Sequence, residues 1–345
     1  MTLRVWLLCI ACLAFAAGAR AKDADLLFKS DGALSVTLEA PWGQVLRKSS
    51  VPARHPAVLS YTDAQGRLQR IKATVETRGL TRLRVCRFAP LRIRFAPDAT
   101  MGTLFEGQRS LKMVTHCQNS LTSEQYYVQE LLAYRIYNVL TEQSHRVRSL
   151  EIVYQDSAGG KPNGPRFAFV IEDLGDVARR AGHKVAGGAG FAPGDYDAHA
   201  LTRFMLFQYL IGNTDWDVLA GPDSGSCCHN VRVLGSEEPG SRFAVPYDFD
   251  SAGMVDASYA APHRKLPIRS VTERLFRGFC MHNGALESVR QEFLGHRPAI
   301  FSLIRNESRL GQKRQRAVVD YFEAFYAVLV SETRFSREIS GKCRK

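Results

Sequence analysis

The segments Ile211-Gly-Asn-Thr-Asp-Trp-Asp217, His229-Asn230 and Val245-Pro-Tyr-Asp-Phe-Asp-Ser-Ala-Gly253 carry most of the information in this sequence. The first follows an apolar run, Ala200 to Ile211, that reads as a buried helix. Between the other two lie two short strand candidates, Val231 to Leu234 and Phe243 to Val245. An antiparallel hairpin built from them brings Asn230 close to Asp248. The segments therefore gather Asp215, Asn230, Asp248 and Asp250 at one end of a hairpin. Such an oxygen-rich set suits Mg²⁺, which takes a few protein ligands and completes its shell with water and phosphate. An Asp, then an Asn, then an Asp is also the order that phosphoryl transfer uses: one carboxylate orients the hydroxyl, and the others hold metal. Taken singly, each of these carboxylates reads as a helix or turn cap.

Upstream the pattern is strand-like. Ile71, Ala73, Val75 and Thr77 alternate, as do Leu91, Ile93 and Phe95, and Leu111 to Thr115 is a further short strand. A helix opens at Ser123-Glu124 and presents Val128, Leu131, Leu132, Tyr134, Ile136 and Leu140 on its apolar face. Strands Ser149 to Tyr154 and Phe167 to Ile171 follow, joined by the turn-forming stretch 159–165. Downstream, Ala317 to Val330 is a strongly amphipathic helix. The glycine-rich stretch 186–190 reads as a loop.

These segments resemble the catalytic region of the spore-coat protein H (CotH) family of atypical protein kinases, and are similar to HipA-type kinases. The resemblance implies an α+β, two-lobed protein-kinase-like fold with an antiparallel-sheet N-lobe and a mainly helical C-lobe. Residues 22–174 would form the first lobe and 175–345 the second. It implies Asp215 as catalytic base, and Asn230, Asp248 and Asp250 as metal-binding residues, with Asp217 a competitor for the role of base. Lys112, in Ser110-Leu-Lys-Met-Val114, would meet the nucleotide phosphates and pair with Glu130. Arg78-Gly79 would approach phosphate, and the backbone at Ile171-Glu172 would meet adenine. The implied cofactors are ATP and Mg²⁺ or Mn²⁺. The implied reaction moves the γ-phosphate to a Ser or Thr hydroxyl of a protein. A kinase-like binding module, or a transferase acting on a glycan or a nucleotidyl group, is the alternative. The chain departs from common kinases in lacking a Gly-x-Gly-x-x-Gly loop and in the long gap between Asp215 and Asn230.

Residues 1–21 read as a secretory signal peptide: Arg4, an apolar stretch from Val5 to Ala17, then Ala19-Arg20-Ala21 before the cut. The product would be exported, periplasmic or secreted, with no stable membrane span. The 345 residues carry 46 Lys and Arg against 34 Asp and Glu, a net charge of +12. The surplus is dispersed, which fits a solvated basic surface and not a nucleic-acid footprint. Cys86, Cys117, Cys227, Cys228, Cys280 and Cys343 remain after cleavage, an even set that suggests disulfides. The adjacent Cys227 and Cys228 are expected to take separate partners, because a vicinal bridge is strained. No Cys-x-x-Cys pair supports zinc. His229 is the only histidine in the acidic cluster, which argues against a metal-dependent hydrolase. The acceptor and the oligomeric state are not written in the sequence.

Overall fold

The computed structural model describes residues 26–47, 53–188, 190–221 and 226–345. Residues 1–21, read from the sequence as a signal peptide, lie outside these residues. Seven strands, β1 (Leu34–Ala40), β2 (His55–Thr62), β3 (Leu68–Thr77), β4 (Leu91–Phe95), β5 (Ser110–Val114), β6 (Val147–Asp156) and β7 (Asn163–Ile171), close into a barrel. Their order is β1-β2-β3-β4-β5-β7-β6. All neighbours are antiparallel except β1 and β6, which run parallel from Leu34 opposite Leu150 to Ala40 opposite Asp156.

This seam overturns the expected two-lobed kinase-like fold with an antiparallel sheet. The molecule is a closed mixed barrel with helices. The reason lies in residues 34–62, in which the sequence analysis found no pattern. They form β1 and β2, and β1 bridges β2 to β6, so the sheet has no free edge. Alternation explains the barrel interior. Val36, Leu38 and Ala40 of β1 point inward, with Ile71 and Val75 of β3, Leu91 and Ile93 of β4, and Leu111 and Met113 of β5.

Short helices α1 (Trp42–Val45) and α2 (Thr81–Val85) sit in barrel connections. α3 (Leu121–Leu140) starts where the Ser120 hydroxyl accepts the Ser123 N–H. α4 (Leu174–Arg180) follows β7. α5 (Ala198–Ile211) starts at Asp197, whose carboxylate accepts the Ala200 N–H, and is buried nearly all round. It stops at Gly212, which is left-handed at φ 67°. A Cβ there would collide with the Tyr321 hydroxyl, so only glycine fits. The hairpin β8 (Val231–Gly235) and β9 (Arg242–Pro246) follows, then α6 (Leu286–Asn306), α7 (Gln312–Leu329) and α8 (Glu332–Glu338). A second core joins α3, α5, α6 and α7, with Leu131, Phe204, Phe207, Phe293, Phe322 and Phe325 fully buried. Burying each such side chain contributes about 1.5–3 kcal/mol.

Three disulfides are present among the described residues: Cys86–Cys117, Cys227–Cys228 and Cys280–Cys343. The expectation of separate partners for Cys227 and Cys228 is thus wrong. The other four cysteines are matched by the fold, β-bridges lying beside both pairs: Phe88 with Cys117, and Phe279 with Arg344. That leaves the adjacent two for each other. The bridges fit an oxidising compartment. Among the described residues, no helix is long and apolar enough to cross a membrane.

Candidate active site

The chain after α5 is shaped by its own side chains. The Asn213 carboxamide accepts the Asp215 N–H at 3.0 Å, and the Trp216 indole donates to the Asn213 carbonyl at 3.0 Å. This local turn sends the Asp215 carboxylate outward, half-exposed. Across from it the hairpin opens at His229-Asn230. The His229 Nε2 lies 2.7 Å from Asp215 Oδ1, and the Asn230 amide donates to the Asp215 carbonyl at 2.8 Å and to Oδ2 at 3.1 Å. The Asp215 hydrogen bond raises the His229 pKa, against burial, which lowers it.

The hairpin register places Val231 opposite Pro246, and the Tyr247 N–H donates to the Asn230 carbonyl at 3.1 Å. Asn230 and Asp248 are thereby side by side, as the sequence pattern implied. Both are left-handed, at φ 51° and 64°. Asn and Asp tolerate that region better than other L-residues. The Asp248 N–H is fixed by the Tyr134 hydroxyl at 2.9 Å.

Asp217 is not free to act as a base. Its Oδ1 accepts the N–H groups of Leu219 and Ala220 at 2.8 and 3.0 Å, and Arg277 stands 3.6 Å from Oδ2. It caps the loop that follows. Asp250 is also committed. It is buried and accepts Arg82 Nε at 2.7 Å and the Tyr259 hydroxyl at 3.1 Å. Arg82 reaches Glu130 at 2.7 Å and Asp248 at 3.5 Å as well. The carboxylates around it keep this buried guanidinium charged, its pKa raised despite desolvation.

Glu130 is therefore the partner of Arg82, and the expected Lys112–Glu130 pair does not form. Arg82 stands on α2, close enough to reach the carboxylate first. Lys112 has no carboxylate partner among the described residues. β5 pairs with β4 so that Arg92 lies beside it, and with β7 so that Ile171 lies on its other side. Its ammonium sits 5.3 Å from the Tyr247 ring centre, and Arg232 covers the same ring at 4.6 Å. Burial, then the charges of Arg78, Arg232 and Arg92, push Lys112 down to about 8. Arg78, Lys112, Glu130, Ile171, Tyr247 and Asp248 line one narrow cleft of about 10 Å³, the room of a single water.

The backbone expected to meet adenine is occupied. The Glu172 N–H donates to the Arg146 carbonyl at 2.9 Å, and the Glu172 carbonyl accepts His145 Nδ1 at 2.8 Å. The Glu172 carboxylate holds Arg180 at 2.8 Å and the Arg146 N–H at 2.9 Å. A carbonyl only accepts, so His145 carries its proton on Nδ1. Burial keeps that ring neutral, down to about 3.

Sequence reasoning missed Arg82, His145 and Tyr247, and gave Tyr134 only a place on the apolar face of α3. No spacing signal marks Arg82, which lies in a run of arginines like any basic surface. Among the described residues, no three His, Cys, Asp or Glu side chains form a metal cage. What the site offers a cation is the half-exposed Asp248 carboxylate and the Asn230 amide oxygen. This donor set fits a hard cation that keeps most of its waters, and Asp250 does not belong to it.

No protein-family model matches this chain, and no curated protein matches it.

Proposed function

We propose that this chain is an exported phosphotransferase. It moves the terminal phosphoryl group of ATP to a hydroxyl of a protein, on a Ser or Thr side chain. One observation carries the reading. A half-buried lysine with no ion-pair partner among the described residues, Lys112, shares a cleft with Arg78, Glu130 and Asp248, and the Asp215–Asn230 pair stands at the end of the same hairpin. Cations without counter-charges suit phosphate oxygens. A carboxylate held by two neighbours suits an incoming hydroxyl.

In the reaction, the acceptor oxygen bonds to the γ-phosphorus as the bond to the β–γ bridging oxygen breaks. ADP leaves with that electron pair, and the hydroxyl proton passes to the Asp215 carboxylate. His229 and Asn230 hold that carboxylate in place. Lys112 and Arg78 neutralise phosphate oxygens at the mouth of the cleft. Asp248 and the Asn230 amide oxygen would hold Mg²⁺ or Mn²⁺, which when bound screens phosphate charge. Catalysis of this kind rests on positioning and electrostatics.

A second reading has one observation in its favour. The Glu172 backbone is fully hydrogen-bonded and the cleft is narrow, which suits a binding module, or a transferase acting on a glycan or a nucleotidyl group. Incubation with γ-labelled or α-labelled ATP, with Mg²⁺ or Mn²⁺, separates these. Transfer of γ-label, lost in Asp215→Ala with the fold retained, supports the phosphotransferase. Transfer of α-label replaces it with nucleotidyl transfer. No transfer of either label, with no thermal shift by nucleotide, leaves the binding module.

A further inference from the structure

Four cations meet at the Lys112 cleft. The register of β4 and β5 puts Arg92 directly across from Lys112, and Arg78 leads out of β3, its N–H donating to the Pro90 carbonyl at 2.8 Å. Arg232, on β8, lies 4.6 Å from the centre of the Tyr247 ring, and Lys112 lies 5.3 Å from it. The charges of Arg78, Arg232 and Arg92 all bear on Lys112. All four residues are partly exposed, within reach of an anion from solution. Among the described residues, Arg78, Lys112 and Arg232 form no ion pair. Arg92 is 3.9 Å from Glu76, which Arg94 holds more closely at 2.9 Å.

Three carboxylates stand near them, and each has a task. Arg82 neutralises Glu130 at 2.7 Å. Asp173 caps α4 through the Gly175 N–H at 2.9 Å. Asp248 is the carboxylate that would take the divalent cation. Gathered like charges repel one another, and four exceed what a single phosphate offsets. A chain of phosphates matches them.

The cleft gives a nucleobase nothing comparable. β7 is an interior strand of the closed barrel: Ile171 is paired with Lys112 of β5 on one side and Val147 of β6 on the other, so no backbone edge is free there. The Glu172 N–H and carbonyl are taken by Arg146 and His145. Of the two tyrosines that line the cleft, Tyr134 is buried against Phe169 and Phe249, and Tyr247 already carries two cations.

We propose that the donor is recognised through its phosphate chain and not its base, so that inorganic triphosphate serves as well as ATP. Arg78, Arg92, Lys112 and Arg232 hold the chain. With triphosphate, the acceptor oxygen bonds to a terminal phosphorus and the bridging P–O bond breaks. Pyrophosphate leaves with that electron pair, and the hydroxyl proton passes to Asp215. This inference rests on the phosphotransferase reading.

Calorimetric titration with ATP, GTP, inorganic triphosphate and adenosine, in Mg²⁺, is run beside transfer of terminal-phosphate label from the first three. Those three are expected to bind within about threefold of one another and to donate label, and adenosine not to bind. Arg92→Gln and Arg232→Gln, on separate strands, should each weaken ATP and triphosphate by the same factor, about threefold to tenfold. No binding of triphosphate, or label from ATP with none from triphosphate, would overturn recognition by the chain and leave the phosphotransferase standing. A loss confined to ATP, or no loss in either variant, would also overturn it. Binding of triphosphate with no label from any donor would remove the phosphotransferase, and this donor assignment with it.

Discussion

The Arg82 guanidinium lies 2.7 Å from Glu130 and is buried with it. The same side chain reaches Asp250 at 2.7 Å and Asp248 at 3.5 Å. One arginine from a barrel connection thus ties α3 to the segment that follows β9. Arg82→Leu leaves Glu130 and Asp250 buried without their cation. It should cost about 3–5 kcal/mol in urea unfolding. Adding Glu130→Leu should recover part of that loss. Additive costs for the pair would mean that the two side chains are not coupled.

Asp215 and Asp217 differ in what they hold. Asp217→Ala releases two loop N–H groups and should destabilise by about 1–2 kcal/mol. Asp215→Ala gives up only the half-exposed contacts to His229 and Asn230 and should cost less, about 0.5–1 kcal/mol. On the proposed reaction it should also abolish phosphate transfer. Thermal melts of both variants check the first contrast. Label transfer that persists in Asp215→Ala would remove Asp215 from the role of base.

Lys112 is depressed from an ordinary 10.5 to about 8. The folded state gives up this proton more readily than the unfolded chain. Its contribution to stability is therefore fully present above 10.5 and lost as pH falls through about 8. At pH 7 the buried charge opposes folding, so Lys112→Met should raise stability by about 1–3 kcal/mol. The gain should fade as pH rises past 10. The same variant should lose affinity for inorganic triphosphate. A destabilised Lys112→Met at pH 7 would contradict the burial of an unpaired charge.

Two buried histidines set the acid limit. Burial lowers His145 to about 3 and His116 to about 4, from 6.5. The unfolded chain takes up both protons first, so stability is lost as pH falls below 6.5. Two protons correspond to about 2–3 kcal/mol per pH unit between roughly pH 5.5 and 4. His116 packs 4.7 Å from the Phe88 ring, so His116→Phe preserves the stack. It should flatten the decline by about half. An unchanged slope would show that His116 is protonated in the folded state.

Much of the local structure was legible. The periodicity of residues 71–77 and 91–95, the buried helix ending at Ile211, and the hairpin that joins Asn230 to Asp248 all appear where the sequence put them. Each rests on side-chain alternation or on a turn, which are properties of near neighbours. The grouping of Asp215, Asn230 and Asp248 was legible for the same reason, since a short hairpin fixes its own register.

The sequence by itself determined strands β3 to β7, helices α3, α5 and α7, and the hairpin that gathers the polar residues. Tertiary structure decided how the sheet closes and which charges meet. Whether β1 joins β6 depends on residues more than a hundred positions apart, and no local period records that pairing. Whether Glu130 meets Lys112 or Arg82 depends on which cation the packed barrel brings within reach. Burial then makes that choice energetically binding, because a desolvated carboxylate keeps the cation nearest to it.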